Sequence, residues 1–333
     1  MKILKNHKID NSIGINSKSK IFIKIYNKSD FVELYRFIKS HHYSVFIVGE
    51  GTNIVPPENF EGIVVKPIFD HIDFDYLKNI VSVGSNVNWN SLVNKMVSKD
   101  IYGFENLSLI PGSVGAAPVQ NIGAYGQEIS NLISSVDCFD YKNGNFITLS
   151  NIDCNFTYRN SIFKMKNLII FNVNFTTNQE KKLCLDYASI REYISDNNLE
   201  VDNLTISEVS KIITNIRKNI LPDHREVPNA GSFFKNPIIP KSTLKLKSFH
   251  YDDLILWDIN SDEIKVGSAR LIQLIKDKLS YPSNINIYKK HSLIITTNKK
   301  ASQKELLDFT NQIKNIVHNE FNIDLEIEPT VIN

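Results

Sequence analysis

The sequence predicts an α+β protein built from three units, and three observations carry that prediction. The chain has 333 residues, roughly twice the length of a typical single domain. Short apolar runs of strand type alternate along it with helical periodicities, and no fixed-period repeat is visible. One long stretch, 103–126, is too rich in glycine for a stable helix and too irregular for a simple strand.

The first unit is 1–66. From 20 to 66 the pattern reads strand, helix, strand, loop, strand. Asp30 and Glu33 have capping-box spacing, and Phe31, Leu34, Tyr35 and Ile38 then recur at i, i+3, i+4 and i+7. An apolar run from Ser44 to Val48 stops at the loop Gly49-Glu50-Gly51-Thr52-Asn53, and another, Ile63 to Val65, follows it. This layer feeds a loop rich in backbone N–H groups. The second unit, 67–178, sets short strand-like runs around one helix whose apolar face is Trp89, Leu92, Val93 and Met96. Residues 179–204 are polar and weakly periodic, an inserted excursion. The third unit, 205–321, opens on a second capping-box pair, Thr205 and Glu208, ahead of Val209, Ile212, Ile213 and Ile216. Its final helix is capped by Ser302 and Glu305, with Leu306, Phe309, Ile313 and Ile316 on the inner face. A closing strand within 322–333 is free to pair elsewhere.

Charge is nearly balanced, 38 Lys+Arg against 36 Asp+Glu, with 42% apolar residues. That composition excludes a disordered tail, a collagen and a strongly basic nucleic-acid binder. The amino terminus has no continuous apolar segment before its next charges. No stretch approaches the ~20 apolar residues that span a bilayer, so a soluble, cytosolic protein without membrane partners is expected. Cys138, Cys154 and Cys184 lack CxxC or finger spacing and read as reduced, buried thiols. The eight histidines include no HExxH, so no metal site is expected.

Small residues in the 49–53 loop would let main-chain N–H groups approach a diphosphate, although two glycines also suit an ordinary strand-to-strand turn. A third glycine and a following helix are missing, so this is no Rossmann fingerprint. The run Ile110-Pro111-Gly112-Ser113-Val114-Gly115-Ala116-Ala117-Pro118-Val119-Gln120-Asn121-Ile122-Gly123-Ala124-Tyr125-Gly126 carries no charge. Such a stretch is costly to bury unless a large planar ligand receives its backbone donors and acceptors; a packed interdomain loop is the alternative. Arg159, in Tyr158-Arg159-Asn160-Ser161, could clamp a carboxylate with its rigid fork or be a solvated strand-end cation. Ser232, beside Phe233 and Phe234, is by itself a turn serine. Glu328 alternates with apolar residues near the end and by itself is a carboxylate on a wet face.

In order and together, these segments resemble the UDP-N-acetylenolpyruvoylglucosamine reductase family, the flavoenzymes of bacterial peptidoglycan precursor synthesis. The anchors are the 49–53 loop, the 110–126 run, Tyr158-Arg159-Asn160-Ser161-Ile162-Phe163-Lys164, Leu221-Pro222-Asp223 and Asn229-Ala230-Gly231-Ser232-Phe233-Phe234-Lys235-Asn236-Pro237. The resemblance extends from Asn11-Ser12-Ile13-Gly14 to Glu328. It implies an FAD-binding module of the vanillyl-alcohol-oxidase (PCMH-like) type in the first two units, and a C-terminal α+β substrate-binding domain, with the last strand returning to the first unit.

The resemblance further implies non-covalent FAD held by Gly49, Glu50, Gly51, Thr52, Asn53, Pro111, Gly112, Ser113, Gly115, Ala116, Ile122, Gly123, Ala124, Tyr125, Tyr158 and Arg217. NADPH would be the reducing cosubstrate and a UDP-sugar enolpyruvyl ether the substrate, in a monomer in the bacterial cytoplasm. Arg159, Ser232 and Glu328 would be the catalytic residues. Arg159 would hold the substrate carboxylate, Ser232 would give a proton to Cα through a relay, and Glu328 would face the carboxylate, protonated or through water. Tyr187 would belong to a tyrosine loop over the uridine end. Lys235, Asn236, Trp257, Lys265 and His291 would contact substrate. Three positions and one stretch depart from the family pattern: Ile220 stands for a lysine, Thr330 for an arginine, His291 for a glutamine, and 280–288 lacks the usual glycines. Those departures leave a second reading open, a non-catalytic FAD-binding protein.

Overall fold

The computed structural model describes residues 1–177 and 180–333; the expected boundary at 178 and 179 lies outside the described residues. These residues gather into two compact units. One comprises Met1–His7, Ser19–Glu50 and Glu61–Asn219, the other Lys8–Lys18, Gly51–Phe60 and Ile220–Asn333.

In chain order the elements are β1 (Lys2–Lys8), β2 (Lys18–Ile25), α1 (Lys28–Ser40), β3 (Val45–Ile47), β4 (Ile54–Val55), β5 (Asn59–Pro67), β6 (Ile72–Asp75), β7 (Ile80–Gly84) and α2 (Trp89–Val97). There follow β8 (Gly123–Ala124), β9 (Gln127–Glu128), β10 (Ile133–Asp140), β11 (Asn145–Ser150), β12 (Leu168–Thr176), α3 (Ala188–Asp196) and α4 (Ile206–Ile220). The chain then forms β13 (Asn229–Ser232), β14 (Ile238–Pro240), β15 (Leu256–Asp258), β16 (Glu263–Val266), α5 (Ser268–Ile275), β17 (Ile285–Ile287), β18 (Ile294–Thr297), α6 (Gln303–Phe321) and β19 (Thr330–Val331).

The first unit holds a four-stranded sheet, ordered β1-β2-β5-β3, and a five-stranded antiparallel sheet, ordered β11-β10-β12-β7-β6. Strands β3 and β5 are parallel. Parallel neighbours require a crossover, so the glycine loop that leaves β3 is not a hairpin turn. Alternation along β12 feeds two cores. Ile169 and Phe171 join Phe31 and Leu34 of α1, while Ile170, Val173 and Phe175 join the predicted α2 face of Trp89, Leu92, Val93 and Met96. The Trp89 Nε1–H, sealed in that core, donates to the Leu107 carbonyl at 2.9 Å.

The structure differs from the sequence pattern, or adds to it, at three places. The cap of α1 is Asn27, extended at φ −153°, whose side chain accepts from Asp30 N. Asp30 is already helical, and its buried carboxylate is taken up by the Met1 amine (2.7 Å) and Tyr26 N (2.8 Å). The insertion contains α3, whose buried Ile190 and Ile194 lie one turn apart; two apolar residues in a polar stretch make too faint a period to read. Thr205 and Glu208 do form the reciprocal cap, at 2.8 and 3.2 Å, but they open a helix of the first unit. Ser210 Oγ of α4 lies 2.8 Å from Ser108 Oγ, and the long C-terminal segment of the second unit starts only at Ile220.

The second unit contains the small sheets β13-β18-β17 and β14-β16-β15 and the parallel pair β4-β19. Helices α5 and α6 share one core with Phe233 and Phe234, through Leu271, Ile272 and Ile275 on α5 and Leu306, Phe309, Ile313 and Val317 on α6. The reciprocal cap of Ser302 and Glu305 opens α6. The closing strand pairs with an early segment of the sequence, Thr330 opposite Ile54 and Val331 opposite Val55. That early segment itself belongs to the second unit. Among the described residues no helix is long and apolar enough to cross a membrane, and no group of three or more His, Cys, Asp or Glu could hold a metal ion. Cys138 and Cys154 are buried, whereas Cys184, expected to be buried, is half-exposed.

Candidate active site

In the first unit the candidate cofactor residues form a main-chain surface. A Cβ on Gly49 would lie 2.5 Å from Ser113 Oγ and 3.2 Å from the Ala116 methyl, so the loop after β3 rests directly on the 113–116 turn. That turn is pinned by Val114 N to Val87 O and Gly115 N to Ser85 O, each 2.9 Å. At Gly115 a Cβ would come within 2.5 Å of the Ser85 Cβ. Gly112 receives Trp89 N on its carbonyl at 2.9 Å, which ties Pro111 and Gly112 to the start of α2. The acidic residue of the loop, Glu50, is held by Asn88 Nδ2 at 3.1 and 3.4 Å. Asn88 also caps α2, accepting from Ser91 N at 3.0 Å. The sequence reading passed over Asn88, although an Asn just before a helical period is a recognisable cap.

Further along, Ile122 N donates to Ala117 O at 3.2 Å, and Gly123 and Ala124 pair with Glu128 and Gln127. Arg159 sits in a tight turn at φ +53°, a left-handed conformation uncommon outside glycine. Its Nη2 donates to Gly123 O at 2.7 Å and its guanidinium lies over the Tyr158 ring, 5.3 Å from the centroid. Arg159 is therefore seated against the glycine-rich run and is half-buried, not a solvated strand end. Tyr125, at φ +49°, meets Tyr187 edge-on at 5.3 Å. Arg217 of α4 lies near Tyr125. Burial pushes the Tyr125 phenol up and the Arg217 guanidinium down, and their mutual attraction opposes both shifts. The Nε of Arg217 is buried and makes no hydrogen bond.

These features fit FAD. Two glycine contacts leave main chain where side chains would otherwise stand, the loop carboxylate is bound, and Arg217 offers an unspent buried donor suited to an anion.

In the second unit, Gly51 at φ +71° packs against the Asp10 carbonyl, where a Cβ would overlap it. Ser12 N donates to Gly51 O (3.0 Å), Ser12 Oγ to Thr52 O (3.1 Å) and Thr330 N to Asn53 O (3.0 Å). Ser232 ends β13, opposite Ile294, after a register shift between Asn229 and Ser232. Glu328 N donates to Phe233 O at 2.9 Å, Lys235 N to Glu326 O at 3.0 Å, and Phe234 bridges Ile327. The segments that carry two of the three candidate catalytic residues are thus tied together by main-chain hydrogen bonds, with buried Phe233 and Phe234 as anchors. Glu328 is half-buried and Glu326 exposed. Glu328 does not lie on a regular strand: it falls between the Ile327 bridge and β19.

The remaining candidates divide. Lys235 Nζ pairs with the Glu326 carboxylate. The Asn236 side-chain oxygen accepts from Ser268 N at 3.0 Å, the first N–H of α5. Trp257 and Lys265 are direct cross-strand partners, with Ile238 completing the row. His291 lies in the turn before β18, its Nδ1 accepting from Leu293 N at 3.3 Å, and burial pushes its pKa down, which favours the neutral ring.

Residues 19–150 match the FAD binding domain family, and residues 222–332 match the family described as the C-terminal domain of UDP-N-acetylenolpyruvoylglucosamine reductase. A Bdellovibrio bacteriovorus protein named UDP-N-acetylenolpyruvoylglucosamine reductase is 32% identical, covering 99% of each chain. A Buchnera aphidicola protein of the same name is 33% identical, covering 96% of each. The crystal structure of the Thermus caldophilus reductase shares the fold at a TM-score of 0.70 and 18% identity, covering 100% of this chain and 98% of that one. An FAD-binding module is followed here by the reductase's own C-terminal domain, and full-length relatives share a third of their residues with it. The chain belongs to the UDP-N-acetylenolpyruvoylglucosamine reductase family.

Proposed function

We propose that this chain reduces the enolpyruvyl ether of UDP-N-acetylglucosamine to UDP-N-acetylmuramate for peptidoglycan synthesis, with NADPH as reductant, as a monomer in the bacterial cytoplasm. Bound FAD would supply two-electron chemistry, carrying hydride from NADPH to the terminal vinyl carbon. The residues of the chain then deal with the charge left at Cα and on the adjoining carboxylate. The fixed fork of Arg159 suits two carboxylate oxygens. Glu328 is the second polar group assigned to that carboxylate. The Ser232 hydroxyl gives Cα its proton. A serine is a weak acid, so it must be resupplied by a relay as it reacts. Electrons and protons balance: one hydride and one proton add across the double bond.

The observation that supports this reading most is the set of main-chain hydrogen bonds joining Phe233–Lys235 to Glu326–Glu328, the segments next to Ser232 and including Glu328. In the first unit, Gly49, Ser113, Gly115 and Arg217 would hold the cofactor, and Tyr187, half-exposed beside Tyr125, would meet the uridine end of the substrate. The test is anaerobic. NADPH should bleach the flavin band at ~450 nm, where oxidised flavins generally absorb, and the enolpyruvyl substrate should restore it. Bleaching without recovery would leave an FAD-binding protein with another substrate or none. No bound flavin at all would contradict the proposed cofactor site.

A further inference from the structure

We propose that Asn106 is a positioning residue that fixes Tyr187 for the nucleotide end of the substrate; the substrate half of this proposal rests on the reading of Tyr187 given above. Asn106 is 1% exposed. Its Nδ2 donates to the carbonyl of Tyr125 and to the carbonyl of Cys184, each at 2.8 Å. Those acceptors are 19 and 78 residues away in the sequence. One amide nitrogen therefore ties the glycine-rich run to the segment that leads into Tyr187 and α3. The other atom of the amide, Oδ1, is buried with no hydrogen-bond partner. A buried unpaired acceptor is costly, so the residue is used as a double donor and nothing else in its polar chemistry is satisfied.

A neutral side chain with two N–H donors on one nitrogen and so short a stem is asparagine alone. Aspartate would present acceptors to two carbonyls, and alanine would present nothing. The junction is close-packed around the clamp. Cys184 Sγ lies 3.8 Å from the Tyr125 carbonyl, and a Cβ added at Gly126 would come to 3.0 Å from that sulfur. The Tyr125 and Tyr187 rings then meet in a T-shaped pair, centroids 5.3 Å and planes 76° apart. Tyr187 is 47% exposed, so the direction of its ring depends on where residues 184–187 are held. Asn106 holds them.

The test compares wild type with Asn106→Ala in the FAD-loaded protein. Amide hydrogen exchange at 183–190 should quicken by about 10-fold or more as the segment is released. The KM for the UDP-linked substrate should rise about 10-fold, while flavin reduction by NADPH stays within about twofold. Unchanged exchange at 183–190, or equal losses in both half-reactions, would overturn the proposal. Tyr187→Ala separates the two layers. If it leaves KM unchanged, the substrate half fails, and the exchange result still judges the clamp. Should Asn106→Ala not fold, Gly126→Ala perturbs the same junction from an exposed position by pressing on Cys184. It should give the same quickened exchange and raised KM, and no change in either would refute the proposal.

Discussion

Gly51→Ala and Gly231→Ala form a matched pair, because both glycines adopt φ +71° but only one is crowded. A left-handed backbone costs an alanine about 1 kcal/mol at either site. At Gly231 nothing lies within 4 Å of the added Cβ, so that cost is all there is. At Gly51 the methyl overlaps the Asp10 carbonyl, and relief requires the 10–12 segment to withdraw. That segment is anchored by Ser12 N to Gly51 O (3.0 Å) and Ser12 Oγ to Thr52 O (3.1 Å). Losing both adds about 1 kcal/mol each, for a destabilisation of about 3 kcal/mol against about 1. For a chain of this size each kcal/mol lowers Tm by roughly 2 °C. Thermal melts, run with the cofactor stripped and again with FAD in excess, should show drops of about 6 °C and about 2 °C in the stripped protein. Gly51→Ala should also recover less stability on adding FAD, since bound ligand stabilises in proportion to its affinity. Melts of the two variants within about 1 °C of each other would refute the argument that backbone proximity is what reserves position 51 for glycine.

Two further outcomes follow from burial and charge. Burial pushes the Cys154 thiol up to about 12 and the Cys138 thiol well above its usual range, and thiolates are the reactive form. Native protein treated with iodoacetamide near pH 8 should therefore be alkylated at Cys184 first; equal labelling of Cys138 or Cys154 would contradict their placement. Asp223 is lowered to about 2 by the Arg225 side chain and its backbone N–H. Its folded pKa is depressed, so its contribution is complete above pH ~4 and lost as pH falls toward 2. The pair is more than a third exposed, so Asp223→Asn should cost under about 0.5 kcal/mol at pH 7. Urea unfolding should show that small difference vanish below pH 2, and a cost above 1 kcal/mol at neutral pH would show that the pair is better shielded than its geometry implies.

Strong periods and reciprocal caps were legible from residues alone. The face of α2 and the caps of α4 and α6 stand where the spacing puts them, because they depend on neighbours within one or two turns. What depends on distant chain was not legible. Asn27 and Asp30 are both cap-competent, and only the Met1 amine and Tyr26 N–H, which claim Asp30, decide between them. Nothing local announces that α4 packs with the first unit, since its amphipathic pattern states that it buries a face and not against what. At the site, the glycines were visible as an anomaly of composition, whereas Arg159 was a candidate by its side chain alone and its left-handed turn had no local signal. Asn88 and Asn106 were missed for different reasons. Asn88 is a cap that also binds Glu50 from 38 residues away. Asn106 has no signature, because both of its acceptors are main-chain carbonyls.

The central claim, that Ser232 protonates Cα in a flavin-dependent reduction, is tested most directly by stopped-flow measurement of the two half-reactions in Ser232→Ala. Flavin reduction by NADPH should proceed at the wild-type rate, because the serine has no part in it. Flavin reoxidation by the enolpyruvyl substrate should slow by several powers of ten. Reoxidation at the wild-type rate, or equal slowing of both half-reactions, would contradict the role given to Ser232.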